Sequence, residues 1–321
     1  MTMMTRRGFG ALTLGTAAVA ALGVRPAFAQ QFVTILTGGT SGVYYPLGVA
    51  LSQIYGKAIP DAKFTVQSTK ASAENVNLLQ AGRGELAFTQ TDTLAQAYRG
   101  DAEVGFDSPR DKLRNVAVIY PNYIQIVASA ASGIKSLADL KGKRVSVGAP
   151  KSGTELNARA VVKAAGLSYD DFAKTEYLPF AESVDLMKNN QLDATLQSAG
   201  LGVASLKDLS SSMAITVVPV PPDVVAKIGD PVYVSKVIPA NTYTGQTQDV
   251  QTVATGNALA THADVPADLV YQMTKLLFEN LETLAAAHAA AKQIQLGKEA
   301  TASAVPLHPG AARFYKEKGL V

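Results

Sequence analysis

One ordered pattern of elements occurs twice in this chain, and it constrains the fold more than any other feature. In the first copy a β-branched run, "FVTIL", leads into the loop "GGTSG" and then into "YYPLGVALSQIYGKAI". That last segment carries apolar residues at Leu47, Leu51, Ile54 and Tyr55, a helical spacing, and Pro46 suits a first helical turn. Strand "KFTVQ", loop "STKAS", helix "AENVNLLQA" and strand "ELAFTQ" follow, and "TDTLAQAY" starts another helix. In the second copy the order is strand "RVSVG", loop "APKSG", helix "TELNARAVVKAA", strand "TEYLP", helix "AESVDLMKNN" and strand "DATLQ". The closing segments "VNLLQAGRGELAFTQ" and "VDLMKNNQLDATLQ" share a plan, and their strands end at Gln90 and Gln197. Strands alternating with helices predict parallel α/β units. Two such units predict two lobes, with loops at the carboxyl ends of the strands lining a crevice between them.

The strand-like stretches "NVAVIYPNYIQIVA" and "DVQTVATGNALATH" flank the second unit and are read as crossovers. The expected division is lobe 1 over 30–120 plus 250–321 and lobe 2 over 121–249. The C-terminal "PADLVYQMTKLLFENLETLAAAH" has helical spacing and is expected to pack on lobe 1.

Residues 1–29 read as an export signal rather than as part of the fold. Arg6-Arg7 precede a mild apolar run over 8–24, and Ala27-Phe28-Ala29 offers a cleavage site. "TRRGFG" is similar to a twin-arginine signal, with an ordinary Sec signal as the alternative. Cleavage after Ala29 would remove Arg6, Arg7 and Arg25 and no acidic residue, taking the formal charge from +3 to 0. The basic balance therefore belongs partly to the signal, and no nucleic-acid surface is expected. The chain has no cysteine, which excludes disulfides, thiolate metal sites and a Cys nucleophile. A soluble periplasmic protein is expected.

The two glycine-bearing loops each enter a helix, whose free N–H groups and partial positive charge suit an anion. Thr40, Ser41, Ser152 and Thr154 add hydroxyls. Ordinary turn and cap residues would read the same way for one loop, and the pairing of two favours a site. "GGTSGVYY" lacks the lysine of a P-loop and matches no dinucleotide fingerprint. Lys70 and Lys151 lie in these loops and could pair with an anion or simply be exposed. Asp92 and Glu155 begin helices, where a carboxylate caps the dipole. Tyr44, Tyr45, Tyr120 and Tyr123 offer an apolar face and a donor. His262, His288 and His308 all lie far along the chain from the loops, so no catalytic constellation emerges. No metal or cofactor is expected.

The segments "GGTSGVYYPLG", "KASAENVNLLQAG", "ELAFTQTDTLAQAYRG", "SLADLKGKRVSVGAPKSGTELNARAVVKAAGL" and "PLHPGAARFYKEKG" resemble the TAXI family, the extracytoplasmic solute receptors of TRAP transporters. The resemblance covers nearly all of the chain after the signal. It implies a bilobed periplasmic-binding-protein fold of type II and a protein that is no enzyme. It also implies delivery of a small anionic organic solute, such as glutamate, 2-oxoglutarate or a related dicarboxylate, to TRAP membrane permease subunits. By resemblance the ligand residues are Gly39, Thr40, Ser41 and Tyr44 in the first loop, Ser68, Ser72 and Asn75 in the second, and Thr91 and Asp92 in the third. The far lobe would contribute Tyr120, Ser152, Gly153, Thr154, Gln197 and Ser198. Lys70 and Lys151 stand where many relatives carry a small residue, which favours a strongly anionic solute if they face the cleft. A monomer is expected. An enzyme on the same bilobed plan and a ligand-dependent sensor are the competing readings.

Overall fold

The computed structural model describes residues 30–321, so the expected leader over 1–29 lies outside the described residues. The first α/β unit is β1 (Gln31–Leu36), α1 (Tyr44–Ala58), β2 (Ala62–Gln67), α2 (Ser72–Gln80), β3 (Leu86–Gln90) and α3 (Thr91–Arg99). A long strand, β4 (Leu113–Ser129), leads to the second unit: β5 (Arg144–Ser146), α4 (Gly153–Ala164), β6 (Lys174–Glu176), α5 (Phe180–Lys188) and β7 (Ala194–Ala199). Then come α6 (Ala204–Ser212), β8 (Ile215–Val218), α7 (Pro222–Ile228), β9 (Val234–Ile238) and β10 (Val250–His262). Helices α8 (Ala267–Glu279), α9 (Leu281–Ala287) and α10 (Pro309–Glu317) finish the chain. The repeated order read from the sequence is present in both units.

Among the described residues the strands form one sheet with the order β2-β1-β3-β10-β4-β7-β5-β6, with β8 beside β4 and β9 beside β10. β1 is parallel to β2 and β3, and β5 is parallel to β6 and β7. These parallel trios are the cores of two lobes. β4 and β10 join them antiparallel to each other. β4 meets β7 from Tyr123 onward, while β10 exchanges β9 for β3 between Ala254 and Asn257. A register shift between Gly256 and Ala258 falls at the same level of the sheet. Both long strands thus pass from lobe to lobe at one height, and a bulge there bends the ladder.

Burial follows the period of each element. β3 and β7 are buried along their whole length, as expected of central strands covered on both faces. α1 buries Leu47, Leu51, Ile54 and Tyr55 on one stripe and packs on β1 and β2, with α8 and α9 also against it. A second core lies under α4 and α7, built on Ile124, Ile126, Val161, Leu196 and Val253. The parallel strands end toward the same crevice, so strand-to-helix loops from both units meet there.

Candidate functional site

A cavity of about 360 Å³ lies in that crevice, within the range of small-molecule sites. The β1–α1 loop supplies Gly38 to Tyr44, the β2–α2 loop Ser68 to Ser72, and the end of β3 supplies Gln90. The second lobe supplies Ala149, Ser152 and Thr154 before α4, residues 179–182 at the start of α5, and Ser198 at the end of β7. Tyr120 and Asn122 close the floor from the middle of β4, where that strand passes between the lobes.

Four helices therefore begin at the wall: α1 at Tyr44, α2 at Ser72, α4 capped by Ser152, and α5 at Phe180. Their N-termini add partial positive charge to one small volume. Ser152 is an N-cap whose Oγ accepts from Glu155 N at 3.1 Å, leaving its own hydrogen free to donate. Ser72 Oγ likewise accepts from Gln90 N at 3.1 Å. The backbone around α4 needs glycine. Gly148 has φ of +96°, and a Cβ there would stand 2.6 Å from Thr154 Cγ2.

The wall carries polar atoms that no protein group satisfies. Gln90 Oε1, Tyr120 OH, Asn122 Nδ2 and Ser198 Oγ are all buried and unpartnered. Unpaired buried polar atoms are uncommon in folded proteins, and these four belong to residues that line one cavity, although others lie elsewhere among the described residues. Behind the wall lies Asn257, which is fully buried on β10 and holds Tyr44, the Tyr120 backbone and Asn122. Asn257 Oδ1 accepts from Tyr44 OH at 2.5 Å, and its Nδ2 reaches Tyr120 O at 3.1 Å and Asn122 Oδ1 at 3.4 Å. With Asn122 Oδ1 turned toward Asn257, its amide hydrogens face the cavity. Tyr44 also stacks on Phe88 with ring centroids 5.1 Å apart. Burial raises the hydroxyl pKa of Tyr44 and Tyr120 well above the ordinary tyrosine value, so both stay neutral donors. The charged side chains on the wall are Lys70 and Glu182, both exposed at the rim.

Of the residues expected from the sequence, Gly39, Thr40, Ser41, Tyr44, Ser68, Ser72, Tyr120, Ser152, Thr154 and Ser198 line this cavity. Asn75, Thr91, Asp92, Gly153 and Gln197 do not. Asn75 is fully buried and its Nδ2 donates to Thr37 O at 2.7 Å and Phe88 O at 2.8 Å, which ties α2 to β1 and β3. Thr91 Oγ1 accepts from Gly256 N at 3.1 Å. Asp92 bonds Tyr233 and Asn157 away from the wall. Gln197 alternates with Ser198 along β7, so its side chain leaves from the opposite face, where Oε1 accepts from Ser205 Oγ at 2.6 Å. Gly153 sits where the lobes touch: a Cβ there would lie 2.7 Å from Ser72 Oγ and 2.8 Å from Gln90 Cδ. Lys70 lines the cavity. Lys151 is exposed with φ of +62°, and its carbonyl accepts from Glu74 N at 3.1 Å. Gln90, Asn122, Phe180, Glu182 and the supporting Asn257 were not singled out as site residues. Gln90 was legible as the end of a strand opening on the crevice. Asn122 and Asn257 lie in apolar crossover strands, where a lone Asn is the only signal.

Two of the three histidines cap helical turns away from the cavity. His308 Nδ1 accepts from Gly310 N at 3.2 Å at the start of α10, and His288 Nδ1 accepts from Ala290 N at 3.1 Å.

Residues 35–319 match the sequence profile of the NMT1-like family. The chain belongs to the NMT1-like family. This NMT1-like protein is similar to several solved structures. PhnD1 from Prochlorococcus marinus, solved with methylphosphonate, has a TM-score of 0.58 at 10% identity, over 91% of this chain and 100% of its own. A binding protein component of an ABC phosphonate transporter from Pseudomonas aeruginosa gives 0.51 at 12%, over 83% and 80%. The alkanesulfonate-binding protein SsuA from Xanthomonas axonopodis pv. citri, bound to MOPS, gives 0.50 at 17%, over 90% and 93%. At these identities the likeness establishes the fold of this NMT1-like protein, a bilobed binding-protein fold with its cleft between two α/β lobes. Among its described residues no helix is long and apolar enough to cross a membrane.

Proposed function

We propose that this protein is an exported solute receptor of the TAXI type. It captures a small organic anion between its lobes and passes it to a TRAP membrane permease. Four unsatisfied buried polar atoms on a cavity ringed by four helix N-termini carry this reading. A carboxylate there would accept from Tyr120, Asn122, Ser198 and Ser152 and lie at the positive ends of α1, α2, α4 and α5. Hydrogen bonds to a charged group are worth about 1.5–3 kcal/mol each when water is excluded. Gln90 Oε1 is an acceptor and suits a hydroxyl or ammonium hydrogen on the same solute. Lys70 at the rim favours a second anionic group, which makes glutamate, 2-oxoglutarate and related dicarboxylates the first candidates.

The leader over 1–29 would direct the chain to the periplasm, where it would act as a monomer and without catalysis. Lobe 1 would comprise 30–120 and 250–321 and lobe 2 residues 121–249, with β4 and β10 as the hinge. Titration calorimetry with glutamate, 2-oxoglutarate, succinate, malate, methylphosphonate and ethanesulfonate tests the reading, with arginine as a cationic control. Saturable heat with at least one carboxylate is expected. Heat with arginine alone, or with none of them, would defeat it.

A further inference from the structure

Asp92 is fully buried at the start of α3, two residues beyond Gln90 of the cavity wall. Its Oδ2 accepts from Tyr233 OH at 2.6 Å and from Asn157 Nδ2 at 2.7 Å. Asn157 Nδ2 also lies 3.0 Å from Tyr233 OH, so the three groups form a closed triangle. The triangle spans the two lobes. Asp92 belongs to the unit of β1–β3, Asn157 to α4 of the other unit, and Tyr233 directly precedes β9. The lobes also meet nearby through Glu74 N to Lys151 O at 3.1 Å, and through Gly153 against Ser72 and Gln90. One feature of the triangle is unusual. Asp92 Oδ1 and Asn157 Oδ1 are both buried acceptors with no donor.

We propose that Asp92, Asn157 and Tyr233 form the latch that holds the cleft shut, and that shutting it takes up a proton on Asp92. The inference rests on the lobe-closure part of the reading above, and on no particular solute. With the lobes apart, a carboxylate at the start of α3 is hydrated and ionised. Closure strips that water and leaves one carboxylate oxygen without a donor. A proton on that oxygen removes a buried charge and converts a lone acceptor into a donor.

Burial is the main cause that raises the Asp92 pKa in this arrangement; the hydrogen bonds from Tyr233 and Asn157 to Oδ2 and the neighbouring Thr93 backbone N–H, which makes no well-formed bond to Oδ1, oppose it, and Asp230 adds repulsion. Tyr44 and Tyr233 also face the carboxyl electrostatically, and burial keeps both neutral. Glu74 on α2 is engaged by Lys70 N at 2.6 Å, and Glu155 on α4 by Arg159 at 2.8 Å. The closed form therefore binds the proton more tightly than the open form. Its advantage is complete below the ordinary carboxylate pKa of about 4, and is lost as pH rises through the raised value. Within that window the open-to-closed ratio changes by up to about tenfold per pH unit, the limit for one proton.

The absence of native cysteine makes the test direct. Arg83→Cys beyond α2 and Lys163→Cys near the end of α4 place spin labels at exposed positions on opposite lobes. Electron–electron resonance then gives the interlobe distance without any solute. The otherwise wild-type protein is expected to populate the short distance at pH 5 and to shift toward longer ones by pH 8. Asp92→Asn should hold one distribution at both pH values, with its fold checked by circular dichroism. Tyr233→Phe, which removes a donor to the carboxylate, should be more open than wild type at pH 8, and it carries the test if Asp92→Asn does not fold. A wild-type distribution unchanged between pH 5 and 8, or an Asp92→Asn response equal to wild type, would overturn the latch. Failure of the solute panel would leave this result standing, so the two readings fail separately.

Discussion

Tyr120→Phe removes one oxygen and should move affinity and stability in opposite directions. The residue is 2% exposed, its hydroxyl is buried without a partner, and the ring edge already supports Gly200, where a Cβ would stand 3.3 Å from Cε2. The ring stays, so packing is unchanged. A buried hydroxyl left unsatisfied costs about 1–3 kcal/mol. Removing it should therefore leave the solute-free protein at least as stable, by up to about 1–2 kcal/mol after allowing for water that reaches the cavity. That corresponds to a rise in Tm of a few degrees at most. Bound solute tells the other half. A hydroxyl donating to a carboxylate is worth about 1.5–3 kcal/mol, so the variant should bind its best solute roughly 10- to 150-fold more weakly. Differential scanning calorimetry without solute and titration calorimetry with it give the two numbers. A fall in Tm together with unchanged affinity would show that the hydroxyl serves the fold and not the site.

Other perturbations follow from the same geometry. Gly153→Ala puts a methyl 2.7 Å from Ser72 Oγ, wedging the lobes apart; solute affinity should fall at least about tenfold while the unfolding midpoint changes little, since opening relieves the clash. Lys70→Ala removes a rim cation, so stopped-flow association should slow and lose much of its salt dependence, with dissociation little altered. Asp193 holds Arg144 Nη2 at 2.6 Å and its backbone N at 2.8 Å, joining the starts of β7 and β5. The Arg144 partner lowers the Asp193 pKa, so this pair stabilises above the ordinary carboxylate range and is lost as pH falls through the lowered value. Asp193→Asn should cost about 1–2 kcal/mol at pH 7 in urea denaturation, the partly exposed pair being weakened by solvent, and the difference from wild type should shrink below pH 4.

The sequence showed the fold through local signals that the tertiary structure keeps. β-branched runs closing on Gln90 and Gln197, helices stopped by Gly82 and Gly166, and two loops of like composition define two parallel units with one crevice. The loop hydroxyls at Thr40, Ser41, Ser152 and Thr154 were readable for the same reason, since a strand-to-helix loop faces the crevice by topology. Side-chain direction was not readable. Whether Gln197 or Ser198 faces the cavity depends on the pleat, and one residue of register reverses it. Asp92 looked like a cap near the ligand because nothing local reveals Asn157 and Tyr233, which arrive from positions 65 and 141 residues away. Asn122 and Asn257 gain meaning only when β4 and β10 lie side by side.

The most direct measurement of the central claim is a crystal structure of the protein with the carboxylate that gives the largest calorimetric heat. The account predicts that solute inside the cavity, with oxygen atoms within hydrogen-bond distance of Tyr120 OH, Asn122 Nδ2 and Ser198 Oγ. Density for the solute elsewhere, with those three groups still bonded only to water, would contradict it.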